Sequence, residues 1–184
     1  MAGRASGRNS GSALNRLRPI LVLLALAAAL AAASGAGARP AVSSLDRAVL
    51  AQINKFRVAH GRHALRLSSR LTAAAAQHSH EMVSKGYFSH NSANGASPFT
   101  RIKRYYPSAG FRHWLVGENL LYGSPSISPA AALNAWVHSP EHLRNILDPS
   151  WREIGVSAVH SGSAPGYYGH RPTTVITTDF GVRR

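Results

Sequence analysis

The hydrophobic period of this chain changes once, from helical to extended, and that order restricts its architecture more than any other feature. Leu45, Val49, Ile53 and Phe56 recur at four, four and three residues. That spacing predicts one face of a helix opening at Ser43 or Ser44, with Asp46 in its first turn, and ending near Gly61. A second stripe, Leu71, Ala75, His78 and Met82, follows the capping pair Ser68-Ser69 and stops at Gly86. Ser97-Pro98, Ser128-Pro129 and Ser139-Pro140 each put a capping hydroxyl before a proline at the first helical position, which predicts three short helices. Pro140 would clash with the Trp136 carbonyl in a continuous helix, so two helices meeting at an angle are expected there. Ser139 is expected to cap the second of them, at about 0.5–2 kcal/mol. Beyond Asp148-Pro149 the pattern changes. Ile154–Val159 and Thr173–Thr178 are β-branched runs that read as strands, joined by a Gly-, Pro- and Tyr-rich loop over 161–172. Helices first and strands last imply an α+β domain with an antiparallel sheet, not a doubly wound parallel one.

The first 39 residues belong to a different kind of chain. Arg4, Arg8, Arg16 and Arg18 precede an unbroken apolar run, Ile20–Ala33, and two A-x-A patterns end at Ala33 and Ala38. Basic, apolar and small regions in that order read as a secretory signal. The run falls short of the roughly 20 apolar residues of a spanning helix, so cleavage is expected, with membrane anchoring as the outcome if the segment stays. The domain boundaries are therefore 1–39 for the signal and 43–184 for the folded body, which is secreted or held in the cell envelope. Any membrane attachment is expected through the N-terminal segment alone.

The 184 residues suffice for one domain, and a monomer is expected. The chain carries 21 Lys+Arg and 7 Asp+Glu; removing the signal takes five arginines and no acid, which leaves 16 basic and 7 acidic groups, a net +9. That balance favours anionic partners outside the membrane, such as lipid headgroups or wall polymers. The densest basic run, Arg101, Lys103 and Arg104, is short, and no nucleic-acid motif accompanies it. The absence of cysteine excludes disulfides, thiolate metal sites and a thiol nucleophile.

Several local patterns invite chemistry and fail on it. His138-Ser139-Pro140-Glu141-His142 has the H-x-x-E-H order of inverted zinc peptidases, but Pro140 interrupts the helical face both ligands need. Ser139 with His142 is no hydrolase pair, because a helix-capping hydroxyl is committed and no G-x-S-x-G turn is present. His78 and His80 face different ways on one helix. Trp114, Trp136 and Trp151 read as core, whereas Tyr105, Tyr106, Tyr167 and Tyr168 sit beside Pro or Gly turns and are expected to make exposed contacts.

Six segments in fixed order then carry a resemblance: Asn54–Gly61 (NKFRVAHG), His78–His90 (HSHEMVSKGYFSH), Gly117–Leu120 (GENL), Trp136–Leu147 (WVHSPEHLRNIL), Glu153–Val156 (EIGV) and Asp179–Gly181 (DFG). Together they span nearly the whole body, which resembles the CAP superfamily of cysteine-rich secretory, antigen 5 and pathogenesis-related proteins, in its bacterial SCP-like form. The resemblance implies an α-β-α sandwich with a small antiparallel sheet between helical layers and a shallow cleft of two His and two acidic residues that can hold a divalent ion. His90, Glu118 and His142 match three of those positions, and Ser139 falls on the fourth. Zinc is the cation such a set favours, with an open position left over. The expected function is a binding module for lipid or an envelope component rather than an enzyme. The alternative is a metal-assisted extracellular hydrolase using His90, Glu118 and His142.

Overall fold

The computed structural model describes residues 41–184, so the signal expected over residues 1–39 lies outside the described residues. Helix α1, Ser44–Ala59, starts with a capping box: Ser43 Oγ accepts from the Asp46 amide at 3.0 Å and the Asp46 carboxylate accepts from the Ser43 amide at 2.8 Å. The second Asp46 oxygen accepts from the Ala158 amide at 2.8 Å, which ties the helix start to the sheet. Helix α2, Ser69–Lys85, ends on Gly86 in the left-handed conformation. The Ser-Pro pairs open α3 (Pro98–Tyr105), α4 (Pro129–Val137) and α5 (Pro140–Leu147). As Pro140 predicts, α4 and α5 are separate helices with His138 and Ser139 between them.

Four strands, β1 (Arg66–Leu67), β2 (Trp114–Gly123), β3 (Glu153–Ala164) and β4 (Arg171–Arg183), form one sheet in the order β1-β3-β4-β2. The three long strands are antiparallel; β1 adds two residues parallel to β3, which makes the sheet mixed at that edge. Alternation along β4 sorts the layers. Ile176, Phe180 and Val182 pack with Val49 and Ile53 of α1, Trp136 of α4 and Ile146 of α5. On the opposite face, Gly181 lies against Leu71 and Tyr106, and Thr177 accepts from Ser79 Oγ at 2.8 Å. Helices α2 and α3 cover that face, completing an α-β-α sandwich. At Gly155 a Cβ would stand 2.0 Å from the backbone carbon of Leu71, so α2 rests directly on β3 and any side chain there would lift it off.

Several expectations are corrected. Beyond the two strands expected from the β-branched runs, residues 114–123 form a third long one, the edge strand β2. The 161–172 loop shrinks to a hairpin tip around the 3-10 turn Gly166–Tyr168, because both flanking strands run further than their β-branched cores. Tyr106 and Tyr168 are buried, while Tyr167 is exposed. Ser139 and Ser68 precede helices without capping them. The capping serines 43, 97 and 128 have ψ near 160° and φ of −65° to −78°, whereas Ser68 and Ser139 sit near φ −110° and ψ 117°, which turns the hydroxyl away from the third amide. Ser43→Ala should therefore cost about 1 kcal/mol in urea unfolding. Ser139→Ala should be indistinguishable from wild type, and a loss as large as that of Ser43→Ala would contradict this geometry.

Candidate functional site

Three segments distant in the chain meet at the edge strand β2. Glu118 lies on β2 and is nearly buried; its register partner on β4 is Asp179, which in turn faces Gly155 of β3. Gly117 is required because a Cβ there would stand 2.8 Å from Asn145 Oδ1 of α5. Asn145 Nδ2 donates to the Glu118 carbonyl and to Asn119 Oδ1, both at 3.0 Å, and Asn119 Nδ2 donates to the His142 carbonyl at 3.1 Å. The Trp136 and Trp151 indoles donate to the carbonyls of Leu120 and Asn145. The G-E-N and H-x-x-N motifs thus bind each other, locking α5 and its His142 against β2.

The Glu118 side chain is only 2% exposed and is held from two sides. One oxygen accepts from His90 Nδ1 at 2.8 Å; the other pairs with the buried Arg101 guanidinium of α3. Arg101 also donates to the His90 carbonyl at 3.0 Å and to Ser92 Oγ at 3.2 Å, so one cation fixes both the carboxylate and the loop that carries the imidazole. His78, fully buried on α2, donates from Nε2 to the Ser89 carbonyl at 2.9 Å, one residue before His90. Its ring is kept neutral mainly by burial. With Nδ1 facing Glu118, the neutral His90 ring keeps its lone pair on Nε2.

A cleft of about 420 Å³ opens here, lined by Phe88, Ser89, His90, Asn91, Leu120 and His142. Both predicted imidazoles line it. Glu118 stands behind His90 instead, and Ser139, half-buried at the start of α5, does not line it. Burial and then the neighbouring His90 lower the pKa of His142, which favours the neutral ring. Beyond Phe88 the wall continues as rings: Tyr122 lies 4.9 Å and Tyr167 6.1 Å from it, centroid to centroid. His138 and Glu141 are exposed, with His138 bonded to the Asn134 carbonyl, so the H-x-x-E-H pattern gathers no ligand set.

The donor set does not fit the three-ligand zinc centre that the resemblance implies. Both Glu118 oxygens are engaged, and among the described residues no three His, Asp or Glu side chains stand close enough to hold one ion. What the cleft presents is two imidazoles, one of them oriented by a carboxylate.

Sequence reasoning assigned no role to Arg101, Asn119, Asn145, His78 or Asp179. Asp179 is the least expected: it is wholly buried, and neither carboxylate oxygen has a hydrogen-bond partner. Burial, and after it the Glu118 charge, push its pKa well above the ordinary aspartate value, with Arg101 opposing. The one available signal was the D-F-G segment at the end of a β-branched run, where a carboxylate is out of place in a buried strand.

Comparison with known proteins agrees with this architecture. The profile of the Cysteine-rich secretory protein family (CAP) matches residues 50–176. The uncharacterized protein YkwD of Bacillus subtilis is 33% identical over 126 residues, covering 68% of this chain and 47% of that protein, so the chain spans about half its relative's length. An extracellular SCP-domain protein of Bacillus anthracis superposes with a TM-score of 0.57 at 26% identity, over 75% of this chain and 40% of that one. An outer surface protein of Borrelia burgdorferi shares the fold at a TM-score of 0.59 and 22% identity, over 75% and 92%. Profile match, ordered motifs and sandwich coincide over the same residues, and the chain belongs to the Cysteine-rich secretory protein (CAP) family.

Proposed function

We propose that this protein is an extracellular binding module that holds an amphipathic component of the cell envelope in the cleft between His90 and His142. The observation that carries the reading is the cleft's mixed lining, whose polar half is His90, His142 and Asn91 and whose apolar half is Phe88 and Leu120. A ligand with a polar or anionic head and an apolar body matches both halves. The basic–apolar–small order of residues 1–39 supports export, as does the extracellular Bacillus anthracis relative.

Calorimetric titration with a short-chain phosphatidylglycerol tests this reading. Saturation at one ligand per chain is expected, with His142→Ala and Phe88→Ala each weakening binding about tenfold, the scale of one lost polar contact or one lost apolar contact. Unchanged affinity in both variants would place the ligand elsewhere.

The carboxylate-oriented imidazole favours a second reading, an extracellular hydrolase in which His90 Nε2 takes a proton from the attacking group. Slow turnover of envelope esters that disappears in His90→Ala would support it. A cation has no part in that step, since Glu118 is already held by Arg101.

A further inference from the structure

A second surface, built from other residues than the cleft, has its own chemistry. From Pro98 to Gly117 the chain carries Arg101, Lys103, Arg104 and Arg112 and no acidic residue. Arg101 is consumed by Glu118, but Lys103, Arg104 and Arg112 are exposed. The ion pairs among the described residues are Lys85–Glu81, His90–Glu118 and Arg101–Glu118, and none engages those three cations.

The same stretch exposes large rings. Phe99, on the first turn of α3, is 55% exposed and stands edge-on to Trp114 with centroids 4.7 Å apart. Phe111 is 40% exposed, and the Arg183 guanidinium lies over it at 4.9 Å and over Tyr106 at 4.2 Å. Trp114 is held in place by its indole N–H, which donates to the Tyr106 carbonyl at 2.8 Å. Phe99 and Lys103 are one turn apart on the same face of α3. Exposed rings and cations therefore alternate along this stretch, and the fold sets Phe99, Trp114 and Lys103 side by side.

Water suits neither half of such a surface: the rings stay hydrated, and cations without counter-charges repel one another. An anionic bilayer suits both, because aromatic rings settle at headgroup depth while long basic side chains reach the phosphates. A soluble polyanion would engage the cations and leave the rings in water. We propose that this face docks on an anionic lipid surface, with Phe99, Phe111 and Trp114 at the headgroup level and Lys103, Arg104 and Arg112 against lipid phosphates. The contact is peripheral, and among the described residues no helix is long and apolar enough to cross a membrane.

The test mixes the full chain with vesicles whose acyl chains are brominated, either pure phosphatidylcholine or phosphatidylcholine with phosphatidylglycerol. Trp136 and Trp151 are buried, so quenching reports Trp114. Quenching is expected with phosphatidylglycerol vesicles only and is lost in high salt. Lys103→Gln with Arg104→Gln should weaken partitioning about thirtyfold, at roughly fivefold per cation. Phe99→Ser with Phe111→Ser should abolish quenching while its far-ultraviolet circular dichroism stays that of wild type. Equal quenching by pure phosphatidylcholine would overturn the proposal, as would partitioning that both double variants leave unchanged, which would assign it to the N-terminal segment. Binding to dextran sulfate as tight as to the vesicles, with Trp114 unquenched by either, would overturn it in favour of a soluble polyanion.

Discussion

Arg101→Met should destabilise the protein by about 3–5 kcal/mol, because it strands a buried carboxylate that has lost its counter-charge. Glu118 is 2% exposed, so water cannot take over the solvation that the guanidinium supplies. The same substitution removes two donors from the His90 loop, at the His90 carbonyl and Ser92 Oγ. Adding Glu118→Gln removes the stranded charge, so the double variant should regain well over half of the loss in urea unfolding. It should not regain ligand binding at the cleft, since His90 faces an uncharged acceptor and its loop loses the Arg101 bonds that hold it. Additive losses in the double variant would show that the two side chains act independently, contrary to the geometry.

Asp179→Asn should have the opposite sign at neutral pH. An acid whose folded pKa lies above its unfolded one holds its proton more tightly in the folded state. Below the ordinary aspartate value of 3.8 both states are protonated and the carboxyl imposes no pH-dependent penalty. Above that value the unfolded chain releases its proton while the folded chain keeps it, and stability falls by up to about 1.4 kcal/mol per pH unit until the folded carboxyl ionises. Asparagine has nearly the same volume and does not titrate, so it lacks this pH dependence. The variant should match wild type near about pH 4 and exceed it by at least about 1 kcal/mol near about pH 7. His78 and His142 have lowered pKa values and lose stability as pH falls below the ordinary 6.5, a slope of opposite sign that both proteins share. The difference between the two unfolding curves therefore isolates Asp179, and a difference that did not grow with pH would mean that the carboxyl is ionised in the folded state.

The helical half of the fold was legible because its signals are local. Ser43 with Asp46, the three Ser-Pro pairs and Gly86 each act within one turn of the residues they control. Strand β2 was not, because Gly117-Glu118-Asn119 breaks its apolar run and its stability comes from ten register partners on β4. Tyr106 and Tyr168 look exposed from their Pro and Gly neighbours, yet each is buried by an element more than 40 residues away: Tyr106 donates to Glu153, and Tyr168 donates to the Tyr87 carbonyl. Family resemblance picked out the two imidazoles and Glu118 but not how Glu118 is used. Arg101 was visible only as one of several basic residues, and nothing near it in the chain shows that it points inward at a carboxylate 17 positions later. Asp46 and Ala158, 112 residues apart, carry the same lesson for the sheet.

Strand β4 is both the centre of the sheet and the last of the domain's elements in chain order. A ribosome delivers the five described helices and both of the strands that flank β4 before the piece that joins them exists. Until Arg171–Arg183 is made, β2 and β3 have no common neighbour, and the faces of α1 and α2 have no sheet to cover. Closing loops of this span late is slow, so the growing domain stays open until that strand is made. A polypeptide that must thread a narrow secretion pore benefits from that delay, and one shortened by its final strand would never leave the open state.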